Sequence, residues 1–210
     1  MAINSLIISR IILGSQSPWR LAILQKAGVP AVAIPSTADE NAVRTADGAA
    51  QALGRAEIKA LAVARLHPDA LVIGADQVLS LGSRNFDKAA NLAEATEHLT
   101  ALSGKTHTLN SAFVLARGDE TLLRCNVPVA MAMRRLTTQE CDAYLRTGEW
   151  EGSVGCYKIE GRGAQLFEGP IGDYFSIIGM PIAEVCQGMR DLGVDLISSA
   201  QGPWTLKLKP

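Results

Sequence analysis

The feature that most restricts the fold is the stretch IILGSQSPWRLAILQKAG, residues 11–28, in which an apolar strand runs directly into a helix. Residues 6–14 have the continuous apolar character of a buried strand. Residues 18–27 predict a helix that has Ser17 as its N-cap, a proline at its first helical position and Gly28 just past its end. We therefore expect a sheet in which at least one strand is followed directly by a helix.

The rest of the chain continues the mixture of strands and helices, without internal repeats. Residues 48–66 are rich in strong helix formers, and residues 71–78 form a continuous apolar strand that meets Asp76 near its end. The remaining expectations, in chain order, are a polar loop at 82–91, a helix at 92–102, a hairpin of strands at 108–117 and 121–133, a short helix at 138–146, an irregular glycine-rich segment at 150–175, a helix at 181–192 and a loosely held tail after residue 196. This order predicts a mixed α/β fold rather than a strict repetition of strand, helix and strand.

Composition narrows the classes of partner. The 210 residues are 48% apolar and carry a formal net charge of −1, so there is no basic excess for duplex nucleic acid or an anionic membrane. Binding of a small phosphorylated ligand needs only a few local cations, so the net charge does not exclude it. The apolar run near the N-terminus is too short to span a bilayer and has no cleavage signal, so we expect a cytoplasmic protein. We expect the four cysteines to be buried thiols rather than disulfides or zinc ligands.

The helix start at residues 15–20 has two interpretations. Hydroxyls of Ser15 and Ser17 can simply cap the helix, with Arg20 on the surface. Alternatively, the free backbone N–H groups and the positive end of the helix dipole hold an anion, and the serines and the arginine add bonds to it. The residues alone leave both open.

Charged residues elsewhere are equally open to a structural or a chemical role. Asp76, at the end of an apolar strand, can hold a metal or orient a water molecule, or can merely form a turn. Glu40 can be a solvated acid and Lys88 a surface lysine. The segment at 157–163 mixes glycines with charges, as do both ligand loops and flexible surface loops. Trp19 and Trp150 can stack on a base or pack in a core.

Taken together, the motifs resemble the Maf family of nucleoside triphosphate pyrophosphatases, over residues 12–196. The family's S-x-S-P-x-R is matched by Ser15–Arg20, its strand ending in aspartate by 74–76, and its Y-x-I-x-G by 157–161. Its other motifs are matched at 35–40, at the Lys59–Ala60 pair, at 102–107 and at 179–181.

The resemblance implies an α/β fold with a mixed sheet, flanking helices and two lobes around a nucleotide cleft, similar to inosine triphosphate pyrophosphatases. The implied lobes are residues 1–107 with 176–196, and residues 108–175. It also implies a divalent cation, Mg²⁺ or Mn²⁺, and cleavage of a nucleoside triphosphate to monophosphate and pyrophosphate. The implied roles are metal binding and catalysis for Asp76 and Glu40, catalysis for Lys88, and substrate binding for Ser15, Ser17, Arg20, Lys59 and Glu160.

Three departures from the common family pattern concern the site. Trp19 and Leu21 flank Arg20 where adjacent arginines are usual, Lys88 follows Asp87 rather than glycine, and Glu160 replaces glutamine. Trp19, the Asp76–Gln77 pair and Glu160 together are similar to the branch of the family that acts on 7-methyl-GTP. The altered lysine loop also leaves a second hypothesis, a catalytically weak nucleotide-binding regulator of cell division. A homodimer is common for such folds, and the sequence does not decide it.

Overall fold

The computed structural model describes residues 5–169, 171–199 and 202–207. Eight strands and six helices are described in these ranges, together with 3₁₀ turns at Glu40–Ala42 and Arg162–Leu166. The strands are β1 (Ser5–Ile8), β2 (Arg10–Leu13), β3 (Ala31–Ala33), β4 (Ala70–Leu81), β5 (Arg84–Phe86), β6 (Thr106–Arg117), β7 (Glu120–Ala132) and β8 (Trp204–Lys207). The helices are α1 (Pro18–Lys26), α2 (Gly48–Ala64), α3 (Leu92–Leu102), α4 (Thr138–Leu145), α5 (Tyr174–Ile177) and α6 (Ile182–Asp191).

The central sheet is mixed, which confirms the predicted α/β class. Its strand order is β3-β2-β4-β6-β7, and β5 adds to the far end of β4. β2 is parallel to β3 and β4, whereas β6 is antiparallel to β4 and β7. The long strands β4 and β6 pair over nine residues, so they form the spine on which the other elements pack.

Three buried apolar clusters surround the sheet. One includes residues of β2, α1, α6 and β8, and a second includes residues of α3, α4 and the loop at 154–167. The third is the alanine-rich stripe of α2 against β4 and β6. β4 and β6 contribute to all three clusters, so the buried clusters do not divide the chain at residues 107 and 176. The two-lobe division stays a prediction.

Four predictions of secondary structure need correction. The expected strand at 6–14 is two strands, because the Ser9 N–H and hydroxyl both bond to Asp69, and β1 leaves the main sheet. The polar loop at 82–91 contains β5, which pairs with β4. The irregular segment at 150–175 contains a 3₁₀ turn and the start of α5. The tail contains β8.

The described part of the tail is held by pairing and burial. β8 is antiparallel to β1, and Trp204 and Leu206 are buried in the first cluster. A loosely held tail after residue 196 was therefore a wrong expectation for residues 204–207. Residues 200, 201 and 208–210 lie outside the described residues.

The four cysteines are free thiols, of which Cys141 and Cys156 are buried and Cys125 and Cys186 are half-buried. No helix among the described residues has the length and apolar character needed to cross a membrane.

Candidate active site

The turn between β2 and α1 forms one wall of a cleft. Ser17 is the N-cap of α1, and its Oγ accepts a hydrogen bond from the Arg20 backbone N–H at 3.4 Å. Ser15 is buried, and its Oγ accepts from the Ser17 N–H at 3.2 Å. The first turn of α1 has no acidic residue, so nothing in it offsets the positive end of the helix dipole. The cap exists as predicted, and the helix start stays available to an anion.

The Arg20 side chain ties this turn to two distant segments. Its Nε donates to the Gly179 carbonyl at 2.9 Å, and Nη1 donates to the Ala75 carbonyl at 3.1 Å and to Ser15 Oγ at 3.3 Å. Burial lowers the pKa of Arg20 from its usual value, while the nearby charges of Asp76 and Glu40 raise it. An arginine stays protonated through such a shift, so the site keeps a fixed cation.

Lys59 lies between the two carboxylates that were predicted to bind metal. Its Nζ is 2.6 Å from Asp76 Oδ1 and 3.4 Å from Glu40 Oε1. The side chains of Lys59 and Asp76 are 6% and 10% exposed, whereas that of Glu40 is 48% exposed. Two buried opposite charges in direct contact attract each other more strongly than a surface pair does, and removal of either one would leave the other buried without a partner.

Gly74 lets α2 approach β4 closely enough for this pairing. A Cβ at Gly74 would collide with the Ala56 carbonyl oxygen and lie 2.7 Å from the Cβ of Ala60. Ala60 is adjacent to Lys59, so any side chain at position 74 would push the lysine away from Asp76. The glycine two residues before the aspartate is thus part of the site's construction.

The opposite wall is formed by the Lys88 segment and the loop at 151–160. Lys88 forms an isolated antiparallel bridge with Val154, which joins the two segments edge to edge. The Lys88 side chain is exposed and forms no hydrogen bond or ion pair with a described residue. Glu160 is also exposed at the rim.

Both walls enclose a cleft of about 860 Å³. Its lining includes all eight residues predicted for the site: Ser15, Ser17, Arg20, Glu40, Lys59, Asp76, Lys88 and Glu160. Residues spread over most of the chain thus converge on one cavity.

Sequence reasoning missed Arg55 and Asp87, which also line the cleft. Arg55 is buried, and its Nη1 is 3.2 Å from Asp87 Oδ1. The signal that could have found Arg55 lies in α2. Gln51, Arg55 and Lys59 are spaced four residues apart among alanines, and all three are buried, so polar residues occupy the face that should be apolar.

The residues present fit a divalent cation only in part. Asp76 Oδ2 is buried and has no hydrogen-bond partner, so one carboxylate oxygen is unsatisfied next to Glu40 and Lys59. No group of three or more His, Cys, Asp or Glu side chains among the described residues could hold a metal alone. Mg²⁺ is usually held by one or two carboxylates together with substrate phosphates and water, which matches this donor set.

A smaller apolar pocket of about 330 Å³ adjoins the cleft and shares Trp19, Glu160 and Ile178 with it. Tyr174 and Phe175 complete its aromatic lining. Trp19 is 60% exposed, although tryptophan side chains are highly buried on average. Trp150, the other candidate for stacking, instead packs against the second buried cluster.

These features define a class: an α/β protein whose cleft combines a helix N-terminus, several cations and a carboxylate pair, a combination that suits a phosphorylated ligand. The chain belongs to the Maf family, since residues 10–192 match the family described as "Maf-like protein".

Curated relatives cover most of the chain. A "7-methyl-GTP pyrophosphatase" of Rhizobium meliloti (strain 1021) is 45% identical over 191 residues, which span 87% of this chain and 96% of the relative. A "Nucleoside triphosphate pyrophosphatase" of Rhodopseudomonas palustris (strain BisB18) is 44% identical over 186 residues, 86% of this chain and 92% of the relative. A crystal structure of a nucleoside-triphosphatase / dITP/XTP pyrophosphatase from Mycobacterium abscessus matches with a TM-score of 0.36 and 18% identity, over 66% of this chain and 95% of that one.

Proposed function

We propose that this protein hydrolyses nucleoside triphosphates between the α- and β-phosphates, releasing a nucleoside monophosphate and pyrophosphate. The observation that carries the proposal is the unsatisfied Asp76 Oδ2 in a cleft lined by cations from separate parts of the chain. The names of the similar proteins from Rhizobium meliloti and Rhodopseudomonas palustris support the same reaction.

The proposed chemical step is attack by water on the α-phosphorus. Asp76 Oδ2 orients the water and accepts its proton. The bond between the α-phosphorus and the bridging oxygen breaks, and pyrophosphate leaves with the electron pair. Arg20, Lys88 and the start of α1 stabilise the negative charge that develops on the leaving group.

A divalent cation, held by Asp76 and Glu40, would supply further neutralisation of phosphate charge. Lys59 is positioned to hold Asp76 Oδ1 in place, which leaves the other carboxylate oxygen for the water or the cation. The proposal therefore gives Lys59 a supporting role toward Asp76 in addition to the predicted contact with substrate.

For the nucleobase, we propose 7-methylguanine, bound at the apolar pocket beside Trp19. Methylation at N7 makes the ring cationic, and a cationic ring stacks favourably on an indole. Glu160 lines the same pocket and could accept hydrogen bonds from the base N1–H and amino group. Removal of such a modified nucleotide from the cytoplasmic pool would be a house-cleaning activity.

The test is pyrophosphate release from 7-methyl-GTP, GTP, dTTP and UTP, each with Mg²⁺ or Mn²⁺. We expect release from 7-methyl-GTP with a kcat/KM at least about tenfold above that for dTTP, from about 1.4 kcal/mol of cation–π and carboxylate contacts. Faster hydrolysis of dTTP would exclude the proposed base. Orthophosphate as the product would indicate a phosphatase, and tight binding without release would support the regulator hypothesis.

Trp19→Leu tests the base site separately from the chemistry. Leucine keeps apolar bulk but has no aromatic face, so we expect KM for 7-methyl-GTP to rise about fivefold or more, with kcat within about twofold. The KM for GTP, whose ring is uncharged, should change less. Equal changes in KM for 7-methyl-GTP and GTP would contradict cation–π recognition of the base by Trp19.

A further inference from the structure

Arg55 joins two segments of the cleft that carry proposed catalytic residues. It lies one helical turn before Lys59 in α2 and is 7% exposed. Its Nε donates to the Val43 carbonyl at 3.3 Å, and its Nη1 donates to Asp87 Oδ1 at 3.2 Å. The guanidinium is thus fixed at both ends, unlike a solvated arginine on a helix surface.

The first of these segments is the 3₁₀ turn that carries Glu40. Val43 directly follows this turn, and its N–H donates to the Glu40 carbonyl at 3.2 Å. The bond from Arg55 to Val43 therefore holds the end of the turn against α2. Glu40 itself is half-exposed and has only Lys59 as an ion-pair partner among the described residues, so its placement depends on the turn.

The second segment is the one that carries Lys88. Asp87 precedes it, and the carboxylate of Asp87 is held by Arg55 while the backbone of Lys88 bridges to Val154. The Lys88 side chain has no partner of its own among the described residues. Its position relative to the cleft is therefore set by the bridge of its own backbone to Val154 and by the ion pair at Asp87, one residue earlier.

We propose that Arg55 and Asp87 are positioning residues for the pyrophosphatase reaction. Arg55 holds the Glu40 turn through Val43, and its ion pair with Asp87 sets where Lys88 meets the leaving pyrophosphate. The proposal rests on the proposed function. It also accounts for the aspartate before Lys88, because the side chain at position 87 supplies an anchor.

The energetics favour an effect on rate over an effect on stability. Asp87 is about half exposed, with a side-chain exposure of 56%, so solvent screens its ion pair with Arg55 and the pair contributes little to the stability of the fold. Displacing a catalytic group by about 1 Å can cost up to about a hundredfold in rate. Loss of the pair should therefore lower turnover while leaving the fold intact.

The decisive experiment is a double-mutant cycle with Lys88. Asp87→Asn is nearly isosteric but weakens the ion pair, and we expect kcat for 7-methyl-GTP or the best nucleotide of the panel to fall about tenfold, with KM within about threefold. In a Lys88→Met background the same change should alter kcat by less than about twofold, because Asp87 then has nothing to position. An equal loss in both backgrounds, or no loss in either, would overturn the proposal.

Arg55 is tested by Arg55→Lys rather than by Arg55→Gln, because the glutamine variant removes a buried charge and risks unfolding. Arg55→Lys keeps the charge but cannot reach both partners with a planar fork, so we expect it to fold and to lose kcat about as much as Asp87→Asn. The matched control is the exposed pair Arg65–Asp119, whose Nε–Oδ1 distance is 2.8 Å. Asp119→Asn should leave kcat unchanged.

The outcomes separate this proposal from the proposed function. Wild-type protein that releases no pyrophosphate from any nucleotide would reject the function and the positioning role with it. An active wild type whose Asp87→Asn and Arg55→Lys variants match the Asp119→Asn control would reject the positioning role alone.

Discussion

Two polar clusters border the cleft, and they differ in charge. The charged cluster consists of Glu40, Lys59 and Asp76, in which an ammonium group lies between two carboxylates. The neutral cluster consists of His107 and Tyr157, whose Nε2 and hydroxyl are 2.8 Å apart. Each contains one buried polar atom without a hydrogen-bond partner, Asp76 Oδ2 and His107 Nδ1 respectively.

The unsatisfied atom has a different meaning in each cluster. An ionised carboxylate oxygen buried without a partner is costly, and a ligand or water that binds it recovers that cost. In the neutral cluster, burial lowers the pKa of His107 to about 4 and raises the pKa of Tyr157, so neither residue carries charge at neutral pH. Tyr157 lines the cleft, and its ring packs edge-on against that of Phe167, with the ring centroids 4.8 Å apart. We therefore propose that the first cluster takes part in the chemistry and that the second supports a wall of the cleft.

Asp76→Asn should give the largest effect and tests this division directly. The amide keeps the size of the side chain but cannot accept the proton from water, so we expect kcat to fall at least about a hundredfold, or about 2.7 kcal/mol in the barrier. Steady-state pyrophosphate release and a thermal melt measure activity and folding on the same sample.

Asp69→Asn is the control for Asp76→Asn, since Asp69 is an exposed residue bonded to Ser9 and Arg10. It should keep wild-type turnover. Near-normal activity of Asp76→Asn would mean that the charged cluster, like the neutral cluster, has a structural role.

His107 predicts a pH-dependent loss of stability that belongs to the neutral cluster. The unfolded chain binds a proton at His107 below pH about 6.5, whereas the folded chain resists it down to about 4. The free energy of unfolding therefore falls as pH decreases through this window, by about 3 kcal/mol in total if the other groups did not titrate. Burial lowers the pKa of His98 too, which acts in the same direction.

The measurement is urea unfolding of wild type and His107→Gln at pH 7 and pH 4.5. Glutamine can still bond to Tyr157 but does not titrate, so the difference in stability between the two proteins should shrink or reverse at the lower pH, by about 2–3 kcal/mol. His67→Gln, at a half-buried position between α2 and β4, is the control for a histidine-to-glutamine substitution. Parallel pH curves for His107→Gln and wild type would show that His107 titrates normally.

The parts of the fold that local sequence signals determine were predicted well. Ser17, the proline after it and Gly28 specify both ends of α1 within the segment itself, and the apolar run around 71–78 needs no partner to be recognised. β8 was missed because its apolar residues become a strand only by pairing with β1, nearly two hundred residues away. β5 is three residues long and exists through its register with β4.

The site shows the same limit. The roles of its eight predicted residues came from the resemblance to a family, and their convergence could not be derived from spacing along the chain. The pair of Arg55 and Asp87 was missed because a buried arginine in an alanine-rich helix has meaning only with its partner, which lies 32 residues away. The helix pattern could have flagged Arg55 as misplaced, but not Asp87 as the reason.

The smallest effect on activity is expected from substitution of Cys156, a residue next to the neutral cluster whose contacts resemble those of a catalytic cysteine. Cys156 Sγ is 3.5 Å from His98 Nδ1, and His98 Nε2 is 3.7 Å from Glu94. A thiol, an imidazole and a carboxylate in series resemble an activated cysteine. However, Cys156 is fully buried, and burial raises its pKa to about 11, which is opposite to the shift that activates a thiol.

Alkylation of the native protein with iodoacetamide, followed by mass spectrometry, should therefore modify the half-buried Cys125 and Cys186 before Cys156. Cys156→Ala keeps a Cβ at this positive-φ position and should change kcat by less than about twofold, because no proposed step uses the thiol. Fast alkylation of Cys156, or a large loss of activity in the alanine variant, would place reactive chemistry beside the neutral cluster, since Cys156 directly precedes Tyr157. In that case charge state would no longer distinguish the wall of the cleft from its catalytic centre.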